Sequence, residues 1–399
     1  MLRMLKNQIA PIISSILNGG VAILDEHKNA VSISLKKYNQ RSITEPTEEN
    51  TIKGSKDCFV ESLRTNTATI RNKIRSSSLK FERFIIGDRS NTAVNIVYYD
   101  GITNPDMVQV LRERLSEIKC DHVLTTSMIE EFIIHKRNMF PSIIYSERPD
   151  KFAADITEGC VCLLVDGLPL GMVLPATIVR CLQAPEDYSK TPLFSSILRN
   201  LRFAMLLITL FLPGFYISIT TFHQEMIPNQ LVISLEAAKQ GVPFPTFLEV
   251  ILMLIAFEVL VEAGLRLPKN FGQLVSIVGA VVIGQATVTA KILSPAVVVI
   301  IAITAMAGYT IPDQDFSDAL RIWRFILVIC SSLLGLTGLV LGGLVLTSIW
   351  CDMETLGVPF ISPFAMSRSP KLKDTLFRYP MNKQKYRPFN LQPVDEVRR

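Results

Sequence analysis

The residues of this chain best suited to chemistry are Glu249, Glu258, Glu262 and Arg266, four ionisable groups inside the otherwise apolar run from Phe247 to Arg266. Ionisable groups at membrane depth cost about 2.5 to 3.5 kcal/mol each on insertion scales, so they face a protein or water-filled interior and mark function. Glu258, Glu262 and Arg266 recur at i, i+4 and i+8, a single charge stripe on a helix. A second group is Gly279, Gly284, Gln285, Thr287 and Thr289. The glycines let helix backbones approach closely, and the polar groups at i, i+2 and i+4 either bond back to their own helix or face water in a conduction path. Packing and pore lining both remain open for this face. Gly335, Gly338, Gly342 and Gly343 repeat the small-residue pattern further on. His223 and Glu225 form a pair at a membrane edge, read as a structural hydrogen bond before a metal or proton site.

Catalytic patterns are not among these groups. The sequence holds no G-x-S-x-G, Walker A or H-E-x-x-H run, and four histidines exclude a His-rich metal site. The seven cysteines have no metal spacing, and Cys160 with Cys162 reads as packing on one face of a strand. No enzyme activity, cofactor or metal is expected. Glu147-Arg148-Pro149-Asp150 reads as an ion-paired loop before a helix capped by Asp150.

The elements that must position these residues fall into two solvents. Up to about residue 200 the patterning is that of a water-soluble α/β head. A strand is expected over Gly20 to Leu24 and a helix over Phe59 to Ile74; strands follow over Lys80 to Ile86 and Thr92 to Tyr99. Asn104 caps a helix opening at Pro105 and running to about Ile118, and Ser127 caps another. Cys160 to Leu174 reads as a β-hairpin around Asp166-Gly167. The sheet has no Gly-rich phosphate loop, and the stretch Met1 to Leu17 is expected to form a short helix of the head.

Residues 201–352 are expected to be an α-helical, multi-span membrane domain. The spans are Phe203 to Thr220, Gln273 to Ala290, Ile292 to Ile311 and Phe325 to Trp350, the last bracketed by Trp323 and Trp350 as interfacial anchors. Residues 353–399 form a basic tail. The mean hydropathy of +0.32 and 49% hydrophobic residues are too apolar for a soluble protein and too charged for a pure bundle. Much of the net charge of +5 comes from the tail; directly after a span, it signals a cytosolic side rather than nucleic-acid binding. A signal-free head and a basic tail on the same side require an even number of crossings, which leaves Phe247 to Ala263 in-plane or re-entrant.

Phe222-His223-Gln224-Glu225, Gly241-Val242-Pro243-Phe244-Pro245, Glu262-Ala263-Gly264-Leu265-Arg266-Leu267-Pro268 and Ile277-Val278-Gly279-Ala280 stand in an order that resembles the A subunits of the GerA family of spore germinant receptors. Head blocks agree: Glu45-Pro46, Thr65-Asn66, Glu147-Arg148-Pro149-Asp150, Asp166-Gly167 and Glu186-Asp187-Tyr188. The resemblance implies a homo-oligomer in the spore inner membrane that forms or gates a nutrient-responsive ion channel. It also implies a transporter-like B subunit, a lipoprotein C subunit and membrane lipid as partners. A SpoVAF-like accessory protein that amplifies germination is the alternative, and a secondary transporter would need an internal repeat that the chain does not display. Three departures stand out. The first of two head subdomains is expected to be missing, Val261 replaces an Arg, and Lys53-Gly54-Ser55 replaces an Arg-Gly-Pro pattern.

Overall fold

The computed structural model describes residues 2–6, 20–24, 29–34, 49, 54–134, 139–266, 284–364 and 374–398. They divide into two compact units, one of residues 1–196 with 353–399 and one of residues 197–352.

Strands β1 (Leu2–Lys6), β2 (Gly20–Leu24) and β3 (Asn29–Ser34) form a small antiparallel sheet in the order β1-β3-β2. The N-terminal stretch is thus a strand over Leu2–Lys6 and not the expected helix. The ladder from Leu2 opposite Ile33 to Lys6 opposite Asn29 supplies the hydrogen bonds that local pattern alone did not foresee.

The main sheet comprises β4 (Leu79–Ile86), β5 (Thr92–Tyr99), β6 (Ile144–Ser146), β7 (Val161–Val165) and β8 (Gly171–Leu174). Its order is β4-β5-β7-β8-β6 and every pairing is antiparallel. The period of two assigns the faces. Val94, Ile96, Val161, Leu163, Val165, Met172 and Leu174 join one core with Met107, Val108, Leu111 and Leu115 of α2 (Pro105–Glu117) and Ile129 and Ile133 of α3 (Thr126–Ile133). Across the sheet lie α1 (Leu63–Lys73) and α4 (Pro149–Glu158). There Asn95 Nδ2 donates to Thr67 Oγ1 at 3.2 Å, and a Cβ on Gly171 would meet the Phe152 ring at 2.5 Å, so strand and helix approach closely at that glycine.

The motifs of the head turn out to be joints. Asn104 caps α2 as expected, accepting from Asp106 N at 2.9 Å. The Asp166-Gly167 turn lies beside α1: Asp166 Oδ1 accepts from Leu63 N at 3.0 Å and Gly167 N donates to Glu61 O at 2.7 Å. Asn66 Nδ2 donates to Val60 O and its Oδ1 accepts from Val60 N at 2.9 Å, closing the chain entering α1. The cap of α4 is Arg148, with Pro149 first in the helix, so Asp150 lies inside the first turn; likewise Thr125, not Ser127, precedes α3. The extended backbone before a proline moves the boundary to Arg148. Its guanidinium, 2% exposed, pairs with Asp150 at 2.5 Å and donates to Ser55 O at 3.1 Å.

Residues 353–399, expected as a separate basic tail, are built into this first unit. Leu356 and Val358 complete the sheet core, Phe360 stacks near Phe140 at 6.2 Å, and Arg398 pairs with Glu158 at 2.7 Å. Arg378 stands over the Tyr188 ring at 5.5 Å and donates to Tyr188 O at 3.1 Å, and its own N–H donates to Ser196 Oγ at 3.0 Å. Arg378 and Arg398 therefore have partners in the fold.

The second unit is helical: α6 (Pro192–Thr221, entering from the first unit), α7 (Asn229–Lys239), α8 (Thr246–Arg266), α9 (Pro295–Gly308) and α10 (Gln314–Asp352), with helical backbone also over 284–289. Ile178–Cys181 adds the short α5 to the first unit. Among the described residues, α6 and α10 are long and apolar enough to cross a membrane. Helix α10 is broken. Gly335 has φ 61 and ψ −141, and Phe316 lies 6.4 Å from Trp350 between ring centroids. Those residues would be about 51 Å apart on a straight helix at ~1.5 Å per residue, so α10 is an antiparallel hairpin. This corrects the expectation of one span over Phe325 to Trp350. Hydropathy reads straight through the turn because its flanks, Leu333, Leu334 and Leu336, are apolar.

Candidate functional site

Small residues build the centre of the helical unit. A Cβ on Gly338 would fall 2.1 Å from Cys330 O, and one on Gly342 would fall 2.7 Å from Leu327 Cδ2, so the two arms of α10 meet at these glycines. Helix α6 lies against both arms. Gly214 faces Leu339 and Leu327, Gly343 faces the Phe211 ring, and Gly335 at the hairpin tip faces Phe222 and His223. Ser218 and Ser331 hydroxyls share a hydrogen bond of 2.7 Å, and Ser331 Oγ also donates to Gly214 O. Close backbone approach with serines satisfied across the seam is how helices associate without a hydrophobic drive. Trp323 and Trp350, expected as interfacial anchors, are buried instead. The hairpin turns both rings inward.

The charge stripe of α8 is divided among three settings. Glu258 reaches α10, accepting from Arg324 Nη2 at 2.7 Å with Arg321 Nη1 at 3.7 Å; Arg321 also pairs with Asp318 at 3.3 Å. Arg324 is 2% exposed and Glu258 partly exposed, so one member of the pair is desolvated. Glu262 and Arg266 pair with each other at 2.6 Å, with side chains 60% and 80% exposed on the chain. Glu249 is fully buried, and its Oε2 accepts from Ser294 N at 2.7 Å at the start of α9. Its other oxygen has Lys239 Nζ at 3.8 Å. Arg321, Arg324 and Lys239 escaped the sequence reading. Arg321 and Arg324, three apart at the border of an apolar run, were the available signal for one buried helical face.

The second group of candidates is described only in part. Gly279 lies outside the described residues. Thr287 Oγ1 donates to Gly284 O at 3.1 Å and Thr289 Oγ1 donates to Gln285 O at 2.7 Å, so both hydroxyls bond back to their own turn, while Gln285 is exposed on the chain. His223 Nδ1 lies 3.4 Å from Ser218 O and Glu225 is exposed; no ion pair joins the two among the described residues. Cys160 and Cys162 are buried in the head sheet, and burial pushes the Cys160 thiol up to about 12 and Cys162 well above its ordinary value. Such thiols stay protonated and unreactive.

The fold and its centres define a class: a mixed α/β unit completed by the chain's own C-terminal segment, joined to a helical unit with small-residue seams and buried charges. Residues 4–390 match the Bacillus/Clostridium GerA spore germination protein family, and the chain belongs to that family. It is 38% identical to spore germination protein KA of Bacillus subtilis, covering 96% of this chain and 70% of that protein. It is 37% identical to the uncharacterized membrane protein YfkQ of Bacillus subtilis, covering 94% and 74%, and 35% identical to spore germination protein GerLA of Bacillus cereus, covering 98% and 80%. Among solved structures, the N-terminal domain of the A subunit of the Bacillus megaterium spore germinant receptor GerK3 matches with 29% identity, a TM-score of 0.33 and coverage of 45% of this chain and 64% of that one. Family membership supports a role in spore germination.

Proposed function

We propose that this chain is the A subunit of a nutrient-responsive germinant receptor, oligomerising in the spore inner membrane to form or gate an ion channel that starts germination. A transporter-like B subunit and a lipoprotein C subunit are its partners in this reading, and lipid surrounds the helical unit. The carrying observation is the family match over residues 4–390. An inside-out helical unit adds to it: Leu333, Leu334, Val340, Leu341, Leu344 and Val345 are exposed while Ser218, Ser331, Glu249 and Arg324 are buried.

The fold also supports a topology. Residues 1–196 and 353–399 share one compact unit, so both ends of the helical unit lie on one side and the crossings are even in number. Helix α10 turns back at Gly335 and contributes an even number by itself. Along α6, residue 217 packs beside Val250 and Val297 in one cluster, while Thr209 lies beside Gly308 and Phe257 beside Tyr309. Helices α8 and α9 therefore both run opposite to α6. The direction of α8, opposite to α6, supports reading it as a crossing helix over the in-plane or re-entrant alternative.

Thiol labelling in a cysteine-free background checks this: cysteines near Asp100 and Lys383 should resist an impermeant reagent in intact cells, and one at Gln230, beyond the far end of α6, should react. Conduction is tested by nutrient-triggered release of monovalent cations from spores carrying Gly284→Leu or Gln285→Leu at normal protein level. Reduced release supports the pore face; unchanged release leaves packing. A second reading, the SpoVAF-like accessory component, is kept because similarity to an uncharacterised membrane protein is as high as to receptor subunits. Germination that persists without adjacent B and C genes would favour it.

A further inference from the structure

Glu249 is built into a site that packing of the bundle does not use up. Its carboxylate is wholly buried where four helices meet: its own α8, the start of α9 at Ser294, the Tyr216 phenol of α6 and the end of α7 at Lys239. Oε2 is held by the Ser294 N–H, where the helix dipole of α9 favours a negative charge. Oε1, equally buried, receives no hydrogen bond among the described residues. Lys239 Nζ stands 3.8 Å from it, beyond hydrogen-bond reach, and donates instead to Thr246 Oγ1. A buried charged oxygen left without a donor is costly, and native proteins seldom leave one so. The lysine is 39% exposed, in contrast to the carboxylate at 0%. One partner of this pair is enclosed in the bundle, and the other is partly in solvent and bonded to Thr246.

We propose that Glu249 is a binding site for a small monovalent cation, with Lys239 as a tethered counter-ion that the cation displaces. Glu249 Oε1 supplies the charge, and the hydroxyl pair of Tyr216 and Ser294 lies near the carboxylate as a source of neutral oxygen. An oxygen set with a single carboxylate suits a weakly hydrated monovalent ion better than a divalent one, which takes more carboxylate charge. The site goes beyond conduction: binding stands or falls whether or not the ion then passes through the membrane.

The test uses the purified full chain in detergent, with potassium chloride as the probe and choline chloride at equal ionic strength as the control. A ligand that binds only the folded state raises the unfolding temperature with concentration. Potassium should raise it and choline should not; Glu249→Gln should lose the potassium-dependent rise. Lys239→Ala should bring the midpoint to several-fold lower potassium, because the internal competitor is gone. If Glu249→Gln does not fold, Lys239→Ala still decides. Equal effects of potassium and choline, or an unchanged midpoint in Lys239→Ala, would overturn the proposal. Unchanged cation release from Gly284→Leu and Gln285→Leu spores, with potassium binding intact, would count against the channel reading and not against this site.

Discussion

The head sheet and the helical unit solve the same packing problem with opposite materials. In the head, β7 and β8 are buried throughout and large aliphatic side chains fill the space between sheet and helices, as expected for folding in water. In the helical unit the seam is made by Gly214, Gly338, Gly342 and Gly343, and large aliphatic residues point outward. Polar residues differ in the same sense. Head charges such as Glu82 and Arg112 pair at a half-exposed surface, with Arg148 and Asp187 as buried exceptions, whereas Glu249, Arg324, Ser218 and Ser331 of the bundle are buried. Where the solvent is itself apolar, helix association depends on close backbone contact and internal polar bonds, and the outside can be aliphatic.

The largest effect expected from breaking this contrast is at the glycine seam. Gly338→Leu places a side chain against Cys330 O, a backbone atom that cannot move away, so the hairpin should fail and the protein should not accumulate in membranes. Overpacking typically costs about 1 to 3 kcal/mol, with more where backbone is hit. A normal level of Gly338→Leu protein would mean that the two arms do not meet there.

Next come the buried pairs, one in each region. Arg148→Ala and Glu258→Ala each strand a partner, at about 3 to 5 kcal/mol for a buried pair, nearer the low end because Asp150 and Glu258 are partly exposed. Thermal unfolding of the detergent-solubilised chain should fall in both, and Glu258→Gln should recover part of its loss. If Arg148→Ala alone is destabilising, the Glu258–Arg324 pair does not exist in the folded protein.

Glu262→Ala and Glu262→Gln should both lie within about 0.5 kcal/mol of wild type if the Glu262–Arg266 pair stays exposed, the usual worth of an i, i+4 pair. A large loss for Ala with recovery by Gln would show that another chain or another helix covers the pair. That outcome would restore a buried stripe along the whole of α8.

The smallest effect is in acid. Hydrogen bonds from Arg112, with its charge and a bond from Tyr98, hold Glu82 below the usual carboxylate range, and burial pushes Tyr98 up to about 12. A lowered carboxylate value means that the stabilisation is complete above the unfolded-state value and is lost as pH falls through the folded one. The pair is half-exposed, so about 0.2 to 1 kcal/mol is at stake. Glu82→Gln should flatten the acid side of the stability profile and leave the neutral side nearly parallel.

How much was legible differs between the regions for the same reason. In the head, alternation of apolar residues with turn signals gave β4 to within a residue and β5 to its ends, and Asn104-Pro105 gave the start of α2, because those signals are local. The roles of Asp166 and Arg148 as joints between distant segments were not, since their partners Leu63 and Ser55 are remote in sequence. In the helical unit, composition alone identified apolar stretches and the unusual Glu249, Glu258, Glu262 and Arg266. It could not tell that Glu258 faces Arg324, that Gly335 folds one apolar run into two arms, or that residues 353–399 complete the head core. The sequence by itself determined which residues prefer which solvent and which backbone conformation, because those are properties of one residue and its near neighbours. Only the tertiary structure decided who pairs with whom, because a turn of a single residue at Gly335 reverses the direction of everything after it.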